Sequence, residues 1–221
     1  MIKENLNNII SELPSTVKLV AVSKFHPVEE IKIAYDCGQR IFGENRPQEL
    51  AAKVPLLPSD IQWHFIGHLQ TNKIKYVVPH AFLIHSVDSD KLLYEIDKYA
   101  ESHNIKVKCL LEVFIATEIT KHGFSPEEII SLLNYLIEHP LKNTDIYGLM
   151  GMASFVDDAN QIKCEFLKLK NLYDKIKLEY SNYFPNFNEL SMGMSNDYKI
   201  AIECGSTLVR IGTSIFGPRQ Y

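Results

Sequence analysis

The sequence has no closely spaced cysteine pair. Its four cysteines, Cys37, Cys109, Cys164 and Cys204, stand far apart and form no CxxC motif. That excludes a zinc ribbon or a dithiol redox centre, and it fits free thiols in a reducing compartment. Long apolar runs are missing too; none approaches the ~20 residues that a membrane-spanning helix needs. The opening "MIKENLNNIISEL" lacks the apolar centre and small-residue cleavage site of a secretory leader, and reads as an amphipathic helix. Charge of one sign is scarce: 23 Lys and Arg stand against 27 Asp and Glu, for a formal net charge of −4. With no basic patch or stripe, no nucleic-acid partner is expected, and most charges read as solvated helix faces. No Gly/Ser linker divides the chain. The expectation is one cytoplasmic domain over residues 1–221, with 46% hydrophobic residues to build its core.

What is present is an alternation. Apolar, β-branched runs at Leu19–Ser23, Arg40–Gly43, Gln62–Ile66, Ala81–Val87, Val107–Ile115, Asp145–Met150, Glu189–Met192 and Thr207–Ile211 predict strands. Several are continuous rather than alternating, the pattern of parallel strands buried on both faces. Helical patterns lie between them. "HPVEEIKIAYDCG" has Pro27 near a helix start and Gly38 as a stop. "SPEEIISLLNYLIEH" carries a capping box, with Ser125 as N-cap, Pro126 at N1 and Glu128 at N3. Residues Asp157 to Tyr180 carry a long amphipathic pattern, and "SNDYKIAIECG" opens a helix at Ser195 and closes it at Gly205.

Eight strands alternating with helices predict a single-domain α/β fold, a (β/α)8 barrel of the TIM type, with a doubly wound sheet as the alternative. In such a barrel the chemistry sits at the carboxyl ends of the strands. There the sequence becomes polar and glycine-rich. Lys24 follows the apolar run "KLVAVS", "GENRPQE" follows strand two, and "SMGMSND" and "RIGTS" follow strands seven and eight. Loops after strands seven and eight hold phosphate in many barrels, and Gly212, Thr213 and Ser214 supply amides and hydroxyls for that. On local sequence alone, a tight turn at Gly212 and a simple N-cap at Ser195 explain these residues equally well. Combined with an amine at Lys24 and Arg210 on strand eight, they match what pyridoxal 5′-phosphate (PLP) requires: an amine for its aldehyde, donors for its phosphate and a partner for its ring nitrogen.

The motifs "LVAVSK" (19–24), "FGENRPQE" (42–49), "WHFIGHLQTNK" (63–73), "HSVDS" (85–89), "KHGF" (121–124), "GLMGM" (148–152) and "LSMGMSNDYKIAIECGSTLVRIGTSIFGPR" (190–219) run in order along the chain. In these the sequence resembles the single-domain PLP-binding proteins of the YggS/PROSC type, the pyridoxal phosphate homeostasis proteins. The resemblance implies a barrel like the N-terminal domain of alanine racemase, of PLP fold type III without the C-terminal β domain. It implies that Lys24 bonds the cofactor as an imine and that Arg210 faces the pyridine nitrogen. Ser191, Gly212 and Thr213, with Ser195, would hold the phosphate. Asn45 would lie beside the cofactor, and His64 and Met192 would line its pocket. Two positions depart from the family pattern: Phe114 stands where an asparagine is common, and Gly151 where a threonine is common. They put the polar contacts on that side in question.

An arginine at the ring nitrogen donates hydrogen bonds only and favours the unprotonated nitrogen, which makes the ring a poor electron sink. Racemases of this fold use a further domain and a partner-subunit tyrosine as second acid/base, and this chain stops at Tyr221. The expectation is therefore a carrier for PLP homeostasis and delivery, without robust turnover and with no catalytic residue assigned. PLP-dependent apo-enzymes would be its recipients, and a monomer its state. The alternatives are a weak PLP-dependent amino-acid racemase or lyase, and a barrel enzyme acting on a phosphorylated metabolite. His64 and His68 form H-x3-H, but the break at Gly67 argues against zinc. Glu44 and Glu49 read as capping or solvated residues rather than paired acids. Lys73 and Lys121 are candidates for a transient second acceptor of the cofactor.

Overall fold

The structure, a computed structural model, describes residues 1–116 and 122–218. Its strands are β1 (Lys18–Val22), β2 (Ile41–Glu44), β3 (Gln62–Phe65), β4 (Leu83–Val87), β5 (Val107–Val113), β6 (Thr144–Gly151), β7 (Glu189–Met194) and β8 (Leu208–Ile211). All neighbours pair in parallel, and β8 returns to β1, so the sheet closes into an eight-stranded barrel. The doubly wound alternative is thereby excluded, because its sheet stays open.

The helices are α1 (Ile2–Glu12), α2 (Val28–Asp36), α3 (Pro47–Lys53), α4 (Asp90–Ser102), α5 (Pro126–Glu138), α6 (Ala159–Tyr180), α7 (Tyr198–Glu203) and the single turn α8 (Thr213–Phe216). Between β3 and β4 the chain makes a 3-10 turn at Thr71–Tyr76 instead of an α-helix. The capping box of α5 forms as its sequence predicts: Ser125 accepts from the Glu128 N–H, and Glu128 accepts from the Ser125 N–H. The start of α7 is later than Ser195. Asp197 accepts from the Met194 N–H at 2.6 Å and closes a tight turn, so the helix begins at Tyr198 and leaves Ser195 in the loop.

Two apolar layers follow from the period of two along each strand. Leu19, Ala21, Ile84, Leu111, Leu149, Val209 and Ile211 belong to the large core between sheet and helices. Val20, Leu83, Leu110, Met150 and Leu208, on alternate positions of the same strands, form a separate plug inside the barrel. Two residues further along, on the same inward face, come Val22, His85, Glu112, Met152 and Arg210. The barrel interior therefore changes from apolar to polar towards the strands' carboxyl ends.

Candidate functional site at the barrel mouth

Lys24 stands two residues beyond β1, half-buried, after a fully buried Ser23. Strand β8 runs beside β1, with Val20 opposite Arg210 and Ala21 opposite Ile211. Gly212 consequently lies against Val22: a Cβ there would meet the Val22 carbonyl oxygen at 3.1 Å. The Gly212 N–H donates to Ser195 Oγ at 3.4 Å, which ties the loop after β7 to the loop after β8. Thr213 and Ser214 follow, both exposed. Asn45, at the end of β2, holds a buried Oδ1 with no hydrogen-bond partner. Lys24, Asn45, Ser195, Gly212 and Thr213 thus all follow the carboxyl ends of barrel strands, with Arg210 inside β8.

Arg210 is buried, with 4% of its surface exposed. Burial pulls its guanidinium down to about 10, while Asp197 and Glu112 counteract, so it keeps its charge at neutral pH. One amino group donates to Ser191 Oγ at 2.6 Å and the other to the Gly151 carbonyl at 3.2 Å. From Ser191 a chain of contacts descends through the barrel. Ser191 Oγ meets His85 Nδ1 at 2.9 Å, and His85 Nε2 meets His64 Nδ1 at 2.8 Å. Ser191 Oγ accepts from Arg210 and keeps a second lone pair and its own proton for the contact with His85 Nδ1. At the far end of the chain His64 Nε2 is a buried atom with no partner. Burial lowers His64 to about 3, helped by the positive Lys18 and Lys108. Burial, then His64 and Arg210, lowers His85 in the same direction. Both rings are neutral at pH 7, and the chain fixes Arg210 without adding a charge.

Three expected site residues sit elsewhere than the mouth. Ser191 is fully buried beneath Arg210 and committed to Arg210 and His85. It pairs with Leu208, four residues below Gly212, or about 13 Å along the strand, so it stands away from the phosphate loops. His64 is stacked on Phe82 with ring centroids 5.9 Å apart, beside the plug rather than the mouth. Met192, next to inward-facing Ser191, points the other way into the sheet–helix core. The Gly151 departure is also explained. A Cβ there would meet Leu169 at 2.7 Å and Ile115 at 3.0 Å, so that position faces the helices, and its contribution to the mouth is its carbonyl.

Other polar groups pack around these strand ends. Glu44 is buried and Glu49 half-buried, and both accept from the Lys53 ammonium, at 2.8 and 2.7 Å. Burial pushes the Glu44 carboxyl up to about 7, with Lys53 opposing. Glu112 faces the mouth, and burial with the nearby Asp88 pushes it up to about 7. His68 pairs with Asp88 at 3.0 Å and stacks on His122 at 4.9 Å. Among the described residues no cluster of three metal-ligating side chains occurs, and His64 and His68 share no site. His85 was legible in principle, two residues after Leu83 on the same face of β4. Lys121 and Tyr221 lie outside the described residues. A cleft of about 780 Å3 between α4 and α5 is lined by Asp88, Tyr94, Phe124, Glu128 and Tyr135. Among the described residues no helix is long and apolar enough to cross a membrane.

Comparison with known proteins agrees with this architecture. The family model for the alanine racemase N-terminal domain matches residues 1–220. A pyridoxal phosphate homeostasis protein of Aquifex aeolicus is 43% identical over 205 residues, covering 92% of this chain and 88% of that one. PipY of Synechococcus elongatus, solved without PLP, superposes with a TM-score of 0.91 at 37% identity, covering 98% of this chain and 100% of that one. The same protein with PLP bound superposes with a TM-score of 0.87 at 36% identity and the same coverage. An alanine racemase of Clostridium difficile shares the fold, with a TM-score of 0.77 at 17% identity over 97% of this chain and 55% of that one. The chain belongs to the pyridoxal phosphate homeostasis proteins, within the alanine racemase N-terminal domain family.

Proposed function

We propose that this chain binds pyridoxal 5′-phosphate at the barrel mouth through an imine to Lys24 and serves PLP homeostasis in the cytoplasm, holding the cofactor and handing it to apo-enzymes. One observation carries the reading: the β8–β1 seam packs Gly212 against Val22, two residues before Lys24, above the clamped Arg210. The residues fit the group. Gly212 lets the loop after β8 pack on Val22 with Ser195 Oγ at its N–H, Thr213 adds a second hydroxyl next along the chain, and Asn45 has an uncommitted buried oxygen. PLP supplies an aldehyde that an amine can capture and a phosphate that backbone donors can hold. Relatives that carry the name pyridoxal phosphate homeostasis protein, and PipY with PLP bound, support the same reading.

Arg210 favours carriage over turnover. It stays charged and donates at the position expected to face the ring nitrogen, so that nitrogen is not protonated and carbanion chemistry gains little. No residue is assigned as catalytic, and the chain acts as a monomer. The test is transfer. Protein loaded with PLP is mixed with an apo-form of a PLP-dependent enzyme, and the recovery of that enzyme's activity is timed. Parallel samples receive single amino acids. Recovery of the recipient without racemised or cleaved amino acid supports carriage. Product formed by the loaded protein alone would establish the enzymatic alternative instead.

A further inference from the structure

Lys53, on α3, is a buried ammonium with every proton committed. It donates to the Ser23 carbonyl at 2.9 Å, to Glu44 Oε1 at 2.8 Å and to Glu49 Oε1 at 2.7 Å. Ser23 Oγ donates to the same Glu44 oxygen at 2.6 Å. Glu49 Oε1 also accepts the Phe25 N–H at 2.7 Å. The peptide group before Lys24 and the one after it therefore end on a single ion cluster. Phe25 has φ +67°, a left-handed conformation that a bulky residue rarely adopts. Its ring lies under the Arg46 guanidinium, 4.3 Å from the centroid, which adds a second restraint.

Such a cluster is a poor way to gain stability. Burying two carboxylates around one ammonium costs desolvation that apolar packing would avoid, and Glu44 Oε2 has no partner at all. What the cluster supplies is direction: it satisfies the backbone of one turn in a conformation the chain would otherwise leave.

We propose that Lys53, Glu49 and Glu44 are positioning residues that hold the Lys24 turn in its left-handed form, so that the Lys24 amine meets an aldehyde bound at the barrel mouth. The inference rests on the cofactor reading. In the step concerned, the neutral Nζ attacks the aldehyde carbon, a C=N bond replaces C=O, and the oxygen leaves as water with both amine protons. Attack needs the atoms near 3–3.5 Å and aligned, and a misplacement of about 1 Å costs up to about a hundredfold in rate.

The experiment uses the full chain with Glu49→Ala, Glu49→Gln and Lys53→Met. Imine formation is followed by stopped-flow absorbance after mixing with PLP. Equilibrium binding of pyridoxine 5′-phosphate, an alcohol in place of the aldehyde, is measured beside it. Glu49→Ala and Lys53→Met are expected to slow imine formation by about tenfold or more. Affinity for the alcohol is expected to stay within about twofold, because the phosphate loops are untouched. Glu49→Gln, which keeps an oxygen for the Phe25 N–H, falls between. Unchanged imine rates, or an equal loss of both properties, would overturn the inference. Should Lys53→Met fail to fold, the half-buried Glu49 pair decides it. A wild type that forms no imine at all would instead overturn the cofactor reading, and this inference with it.

Discussion

Ser191→Ala separates two roles for one hydroxyl. As a phosphate ligand, Ser191 would lose cofactor affinity on truncation and little stability. As the link between Arg210 and His85, it would lose stability first. The structure supports the second role. Ser191 Oγ takes a hydrogen bond from a buried guanidinium at 2.6 Å and meets His85 Nδ1 at 2.9 Å. A hydrogen bond to a charged group contributes about 1.5–3 kcal/mol and a neutral one about 1, so the expected loss is about 2.5–4 kcal/mol. For a domain of this size each kcal/mol moves the melting temperature about 2–4 °C, so Tm should fall by about 10 °C. The assay is thermal unfolding followed by circular dichroism without ligand, with pyridoxine 5′-phosphate binding measured below the transition. A Tm within about 2 °C of wild type, with phosphate affinity lost, would refute the hydrogen-bond chain and return Ser191 to the phosphate site.

Glu112→Gln tests the polar rim of the barrel. Burial pushes this carboxyl from 4.5 to about 7, so the folded state keeps a proton that the unfolded chain releases, and stability from this group falls as pH rises through that window. The variant should match wild type near pH 4.5 and exceed it above pH 7, by up to about 3 kcal/mol, in urea unfolding at the two pH values; equal stability at both would reject the buried carboxyl. Gly67→Ala places a Cβ 2.2 Å from the Asn45 carbonyl oxygen. It should destabilise by about 3 kcal/mol and weaken binding of pyridoxine 5′-phosphate through Asn45; a Tm unchanged in thermal unfolding would show that the two strand ends are not in contact.

Much of the barrel was legible because its signals are local. Continuous β-branched runs mark the strands, and the Ser125–Glu128 capping box marks α5. Boundaries moved where a side chain outside the periodic pattern took control. Asp197 displaced the start of α7, and the segment between β3 and β4 closed as a 3-10 turn. At the site, Lys24, Gly212 and Arg210 were legible from their place at strand ends. Motif order did not tell on which face Ser191, His64 and Met192 lie, because inward and outward positions alternate along a strand and proximity in sequence says little about which face a residue takes. Glu44 and Glu49 read as capping or solvated residues for a similar reason. Glu49 and Lys53 share α3 at i,i+4 spacing, while Glu44 ends β2, and only the packing of α3 on β1 and β2 turns three ordinary surface residue types into one cluster.

The most direct test of the central claim is borohydride trapping. The purified protein is mixed with PLP, its visible absorbance recorded, and the sample reduced and mapped by peptide mass spectrometry beside Lys24→Ala. Imine formation at Lys24 predicts a visible band that borohydride removes, a reduced pyridoxyl group on Lys24 alone, and neither in the variant. Label on another lysine with Lys24 unmodified, or an unchanged band in Lys24→Ala, would contradict it.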